Sequence, residues 1–368
     1  MGETLAKGPM LEEALRAYFM KAGYFVVRGV PFTYEGFDVT DIDCWLYGRA
    51  SSVSREIAIV DIKSKKTPQA IERIFWCAGL QRAVGANRAI VATTDKRPEV
   101  KDFGRELEVL VLDGTFLGKL QHRDAHLEQR LSDEEFFDCI GAGPLDKLDG
   151  NWKARVRKGK ALLARGPSFD TCIEWLAQGR YFAEQASTRK IQAHNALRCL
   201  YLMCAFAAIG VDYELRDLSF TETGERAQLI AEGFTYGSKG RTGLKKLVDL
   251  SIGLVSEYAN QGRAIANQVK AKIENSLDAI PTSILGDYFG RRDVLGSLFQ
   301  TGRELEELAM AREFRHHSTA STEVRALLGC LLDYWGIDRT LLAIPHVDLG
   351  AAQQSLIAMG DDGSPAKG

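Results

Sequence analysis

Residues 40–66 read TDIDCWLYGRASSVSREIAIVDIKSKK, two runs of strand character separated by a polar, serine-rich stretch. In the first run, 40–47, Ile42, Cys44 and Leu46 fall on one face and Asp41, Asp43, Trp45 and Tyr47 on the other. In the second, 56–63, Ile57, Ile59, Asp61 and Lys63 share a face. An acid and a lysine two residues apart, ending an otherwise apolar strand, make a poor core but a workable site. With residues 48–55 read as a hairpin loop, the runs pair antiparallel and Asp43 comes close to Asp61. The like charges then call for a cation between them.

Working outward, Leu11, Ala14, Leu15, Tyr18, Phe19 and Ala22 recur at helical spacing and Gly23 stops the helix, which predicts a helix over 9–22. Glu12 shares the row of Leu15 and Phe19 at the rim of the apolar face, whereas Glu13 is expected to point outward with Ala17. A short strand follows at 24–30. On the other side of the hairpin, Thr67-Pro68 is a helix start, and Ala70, Ile71, Ile74, Phe75 and Ala78 form one apolar face up to Gly85. Gln81 falls on that face, where a buried amide needs a partner. Residues 88–94 and 107–112 are β-rich, and Asp113-Gly114 closes the second run as a turn. The expected order is αβββαβ, then a short helix and a last strand.

Beyond residue 118 the pattern becomes amphipathic and helical, for example at 131–140, 152–165, 171–185, 189–209, 244–264 and 324–335. The expected organisation is an α/β unit over 1–118, a linker and connecting helix over 119–150, a mostly α-helical unit over 151–358, and a disordered tail over 359–368. A chain of 368 residues with 45% hydrophobic content supports two such units. A net charge of -2 rules out a uniformly basic nucleic-acid coat, so phosphate contacts must come from local patches. The seven cysteines are scattered and never spaced CxxC, which fits a reduced cytoplasm. The N-terminus lacks the apolar stretch of a secretory signal, and the longest apolar run, 199–211, is too short to span a bilayer and reads as a buried helix. A cytoplasmic protein without a membrane partner is expected.

Hydrolysing a phosphodiester needs a hard cation, an activated water and positive charge to offset that of the transition state. Asp43 and Asp61, with the main-chain carbonyl of Ile62, would be oxygen ligands for Mg²⁺, Mn²⁺ serving in its place. Lys63 would orient or help deprotonate the water. Lys65 and Lys66, just past the strand, are placed to touch phosphates near the scissile bond. The run Lys153, Arg155, Arg157, Lys158, Lys160 contains no acid and follows Trp152, which suits either a phosphate-tracking surface or a solvated helix face. His122 and His126 lack an HExxH or a cysteine pair, His316-His317 lacks ligand spacing, and GSKGRTG at 237–243 lacks the phosphate-loop pattern.

TDIDCWLYG followed by IAIVDIKSKK, within an αβββαβ order, resembles the PD-(D/E)XK nucleases, the restriction-endonuclease-like superfamily, over about the first third of the chain. That resemblance implies a restriction-endonuclease-like core with a mixed sheet and Asp43, Asp61 and Lys63 at its centre. The segment KGPMLEEALRAYFMKAGYFVVRG, residues 7–29, looks like the opening of Holliday-junction resolvases of the same superfamily, which implies that Glu12 assists metal binding. Some branches carry a glutamine near the site in the second helix, which would give Gln81 that place; a capped core amide is the other reading. The acid at 61 is Asp where many members carry Glu. The expected function is a Mg²⁺-dependent DNA endonuclease in restriction or anti-phage defence, with a homodimer or a partner protein engaged through the helical half. A non-catalytic nucleic-acid-binding or scaffolding protein on the same fold is the alternative, and a junction resolvase a third reading.

Overall fold

The computed structural model describes residues 7–63, 69–120, 129–141, 150–189, 192–258 and 262–343. Helix α1 (Lys7–Lys21) ends as its sequence predicts: the Gly23 amide donates to the Met20 carbonyl at 3.1 Å and the Tyr24 amide to the Phe19 carbonyl at 3.1 Å. The Phe19 and Tyr24 rings close the motif edge to face, with centroids 6.1 Å apart. The chain then enters β1 (Phe25–Tyr34) and returns as β2 (Phe37–Arg49) through Glu35-Gly36, whose φ angles of 47° and 87° make the two-residue turn that matches strand twist. Both strands are longer than the sequence suggests. Pro31, just past the expected end of the first strand, is tolerated within it because β1 is an edge strand.

β3 (Arg55–Lys63) follows a loop in which the Ser51 hydroxyl accepts from the Val53 and Ser54 amides. Helix α2 (Ala70–Ala83), β4 (Arg88–Thr93), α3 (Pro98–Glu106) and β5 (Val109–Leu112) complete the sheet, whose order is β1-β2-β3-β4-β5. β1, β2 and β3 pair antiparallel, and β3, β4 and β5 pair parallel. The parallel half uses α2 and α3 as crossovers, which is why β3, β4 and β5 read as nearly continuous apolar runs. Asp113 does not close a turn: its carboxylate accepts from the Phe116 amide at 2.9 Å and caps α4 (Gly114–Lys119).

The sheet is covered on both faces. Leu11, Leu15 and Phe19 of α1 pack on Cys44, Leu46 and Val60 on one side. On the other, Trp45, Tyr47, Ile57 and Ile59 meet α2 through Ile74 and Cys77. The buried face of α2 runs Ala70, Ile74, Cys77, Leu80, turned from the predicted one; Ile71 and Phe75 are exposed, and Phe75 leans on Phe103 of α3 at 5.0 Å between centroids.

The C-terminal region is mostly helical. It comprises α5 (Asp133–Gly141), α6 (Trp152–Ala164), α7 (Phe169–Thr188), α8 (Ala193–Glu214), α9 (Thr223–Tyr236), α10 (Gly240–Tyr258), α11 (Gly262–Asp278), α12 (Thr282–Phe289), α13 (Arg292–Met310) and α14 (Thr322–Trp335). The single helix expected at 244–264 is two helices, α10 and α11. The sheet and these helices share one core: Phe25 meets Phe206 of α8, and Tyr47 meets Phe299 of α13 at 5.8 Å between centroids. A buried carboxylate fastens them further. Asp212 of α8, fully enclosed, takes the Tyr47 hydroxyl at 2.6 Å, Arg49 at 3.0 Å and Arg55 at 2.7 Å. Among the described residues, Ala193–Leu218 is the one helical stretch long and apolar enough to cross a membrane, and 94% of its apolar window is buried inside the protein.

Candidate functional site

Asp43 and Asp61 meet where the β2–β3 ladder ends. The register runs from Arg49↔Arg55 to Cys44↔Val60, so Asp43 and Asp61 are the next pair, and Lys63 lies two residues on along the same face. Here the Asp43 carboxylate, in place of a main-chain carbonyl, accepts the Ile62 amide at 2.6 Å, which pins the side chain across the strands. In β1, Gly29 stands between the pairs Arg28↔Cys44 and Val30↔Ile42, opposite Asp43, with φ of 53°.

Burial pushes the Asp43 carboxyl up to about 6. The Ile62 amide pulls it back in part, the charge of Glu12 pushes it further, and Lys63 and Arg73 pull it down. Asp61 is buried and satisfied by a residue the sequence reading missed: Arg73, in the first turns of α2, donates through Nε to Asp61 Oδ2 at 2.8 Å and through Nη2 to Oδ1. The pair is bidentate, the geometry in which a guanidinium best replaces another cation. Arg73 also stacks on Trp76, its guanidinium 4.4 Å from the ring centroid.

Glu12 faces the same end of the sheet, but Arg28 of β1 holds it. Glu13, expected in solvent, is buried and pairs with both Arg16 and Arg28. The reason is a second layer: the side of α1 away from the sheet is covered by the C-terminal helices, with Asp133 of α5 and the Arg130–Glu306 pair nearby. Burial opposes Asp133's charge, yet Lys160, Arg16 and Arg28 together bring its carboxyl down to about 2. Glu12 is thus the edge of a buried ionic network that continues to α6.

Gln81 is not at the site. It lies at the far end of α2, partly exposed, and donates to the Asn87 carbonyl at 3.0 Å, beside the Ile57 end of β3. Lys65 and Lys66 lie outside the described residues. The basic run of α6 is divided in its use. Arg155 turns inward, 3.7 Å over the Tyr181 ring and 3.0 Å from Gln178 Oε1. Lys153, Arg157 and Lys158 instead line a groove of about 1020 Å³ whose other wall is the β1–β2 hairpin and whose end reaches Glu12 and Asp41. Lys158 also reaches Glu174 at 3.3 Å, and the groove carries Asp38, Asp41, Glu134 and Asp138, so it is of mixed charge.

The donor chemistry of Asp43 and Asp61 fits a hard divalent cation: two carboxylates on neighbouring strands, one of them destabilised in its ionised form by burial. Filling that place requires Arg73 to leave Asp61. Among the described residues no group of three or more His, Cys, Asp or Glu converges closely enough to hold a metal, and Glu12 is paired with Arg28. No family model, curated protein or solved structure matches the chain.

Proposed function

We propose that the chain is a metal-dependent nuclease of the restriction-endonuclease-like kind, acting on DNA, with its centre at Asp43, Asp61 and Lys63. The observation that carries this reading is the juxtaposition of Asp43 and Asp61 at the end of the β2–β3 ladder, with Lys63 on their face and the Asp43 carboxyl raised to about 6. The αβββαβ order ahead of the helical region supports it. A divalent cation, when bound, supplies Lewis acidity at the phosphate and a water of lowered pKa. Asp43, oriented by the Ile62 amide, and Asp61 would hold it. Lys63 orients the attacking water and offers positive charge to the extra negative charge of the transition state. Arg73 holds the Asp61 carboxylate in place through two hydrogen bonds, and the groove beneath Lys153, Arg157 and Lys158 would give a backbone its path. Defence against foreign DNA is the setting that the resemblance to restriction-type nucleases suggests.

The bidentate Arg73–Asp61 pair favours one other reading, a nucleic-acid-binding scaffold in which the guanidinium permanently replaces the cation. Supercoiled plasmid, linear duplex, four-way junctions and single-stranded DNA and RNA, incubated with Mg²⁺, Mn²⁺ or EDTA, separate the two. Metal-dependent cutting lost in both Asp61→Ala and Lys63→Ala supports the nuclease and names its substrate. Binding without cutting, unchanged in both variants, supports the scaffold.

A further inference from the structure

Among the described residues, an unburied apolar surface lies on the antiparallel pair α10 and α11. Each of these helices carries two apolar stripes. The inner ones, Leu244, Val248 and Ile252 on α10 and Ala266, Ile273 and Leu277 on α11, face each other across the pair and are half-buried or buried. The outer ones are solvent-exposed: Leu247, Leu250 and Leu254, with Leu250 66% exposed, and Ile265 and Val269. At 100° per residue the outer stripe stands about 120° round from the inner one on α10 and about 90° on α11. Because the helices run antiparallel, both rotations bring the outer stripes to the same side. Lys270 Nζ lies 2.9 Å from Asp249 Oδ1, and carrying that alignment along the pair sets Leu250 beside Val269 and Leu254 beside Ile265. The result is one continuous two-helix face, half of a four-helix bundle.

We propose that this face docks a second copy of the chain, hairpin on hairpin and antiparallel about a two-fold axis, completing a four-helix bundle. The flanking charges select that partner and direction. Lys246 and Lys272 border the outer face near the base of the hairpin and Glu257 borders it near the tip, all three exposed. Stacking two hairpins tip over base sets each Glu257 over the other's lysines, whereas parallel stacking sets like charges together. Two helices side by side, about 28 Å and about 26 Å long, offer on the order of 500 Å² per copy and about 1,000 Å² in total, the lower edge of a specific interface. The inference is independent of the nuclease reading.

The test is the mass of the full chain by light scattering across a concentration series. The wild type is expected to be a dimer. Leu250→Asp with Leu254→Asp, both at exposed positions, should weaken it roughly a hundredfold with an unchanged circular-dichroism spectrum. Glu257→Lys should weaken it too, and adding Lys246→Glu and Lys272→Glu should restore it. A wild-type monomer at every concentration, including one that binds lipid vesicles or another protein's helix through this face, overturns the proposal. So does a dimer that survives the double aspartate variant.

Discussion

Asp43 is the residue on which the site's energetics turn. Its folded-state carboxyl titrates near 6 against an ordinary 3.8, so its favourable, protonated form is complete below about pH 4 and is lost as pH rises through 6. Ionised, it costs the fold about 3 kcal/mol at neutral pH. Asp43→Asn should therefore melt higher than wild type at pH 7 and equally at pH 4, in EDTA, while abolishing metal-dependent cleavage. Cation binding to the wild type should release a proton below pH 6, measurable by calorimetry in buffers of different ionisation heat. Arg73 gives a second prediction. Since its guanidinium competes for both Asp61 oxygens, Arg73→Gln should tighten Mg²⁺ binding several-fold by titration calorimetry; unchanged affinity would mean that Asp61 is not a ligand. The carboxylate pair and the lysine could be read from alternation alone, because strand period fixes which face they share. Arg73 could not: nothing in helical periodicity marks which exposed-looking arginine of α2 turns back onto β3. Glu13 was misplaced for the same kind of reason, since an amphipathic pattern reports one buried face and is silent about a second layer.

Among the elements, β1 shows how local rules yield to tertiary position. Its length past Pro31 depends on its being an edge, which only the assembled sheet decides. Its Gly29 adopts φ of 53° opposite Asp43, a conformation that costs an L-residue roughly 1–2 kcal/mol. A side chain there would meet nothing closer than Lys160 Nζ at 3.8 Å, so the backbone alone sets the cost. Gly29→Ala should lower the melting temperature by several degrees and misalign Asp43, reducing turnover more than substrate binding. The order of helices and strands was legible from residue 9 to 118 because period 2 and period 3.6 alternate cleanly there. The rotation of α2 was not, because Phe75 and Ile71 have the hydropathy of core residues while sitting outside it, against α3 or in solvent.

Across the whole molecule, pH acts through groups that oppose one another. Burial, with His316 beside it, brings His317 from 6.5 down to about 4, so the stability that depends on its neutral ring is complete above 6.5 and is lost as pH falls toward 4. Asp43 gains over nearly the same range. Wild-type stability should consequently change little between pH 6.5 and 4, fall more steeply with acid in Asp43→Asn, and rise with acid in His317→Gln; thermal melts at half-unit steps would show all three. Asp212 binds the halves together, and Asp212→Asn, which leaves the guanidinium of Arg55 enclosed without a counter-charge, should cost about 3–5 kcal/mol and be seen as one lowered transition. That same carboxylate carries a consequence for synthesis. Tyr47 waits for a partner 165 residues downstream, roughly 10–30 s of elongation. Until then, Tyr47 and the arginines of β2 and β3 lack the acid that joins them, and the sheet face that meets α8 stays unfastened on the nascent chain. Under the proposed function, a nascent chain stopped short of Asp212 would carry Asp43, Asp61 and Lys63 on a sheet without this buried tie.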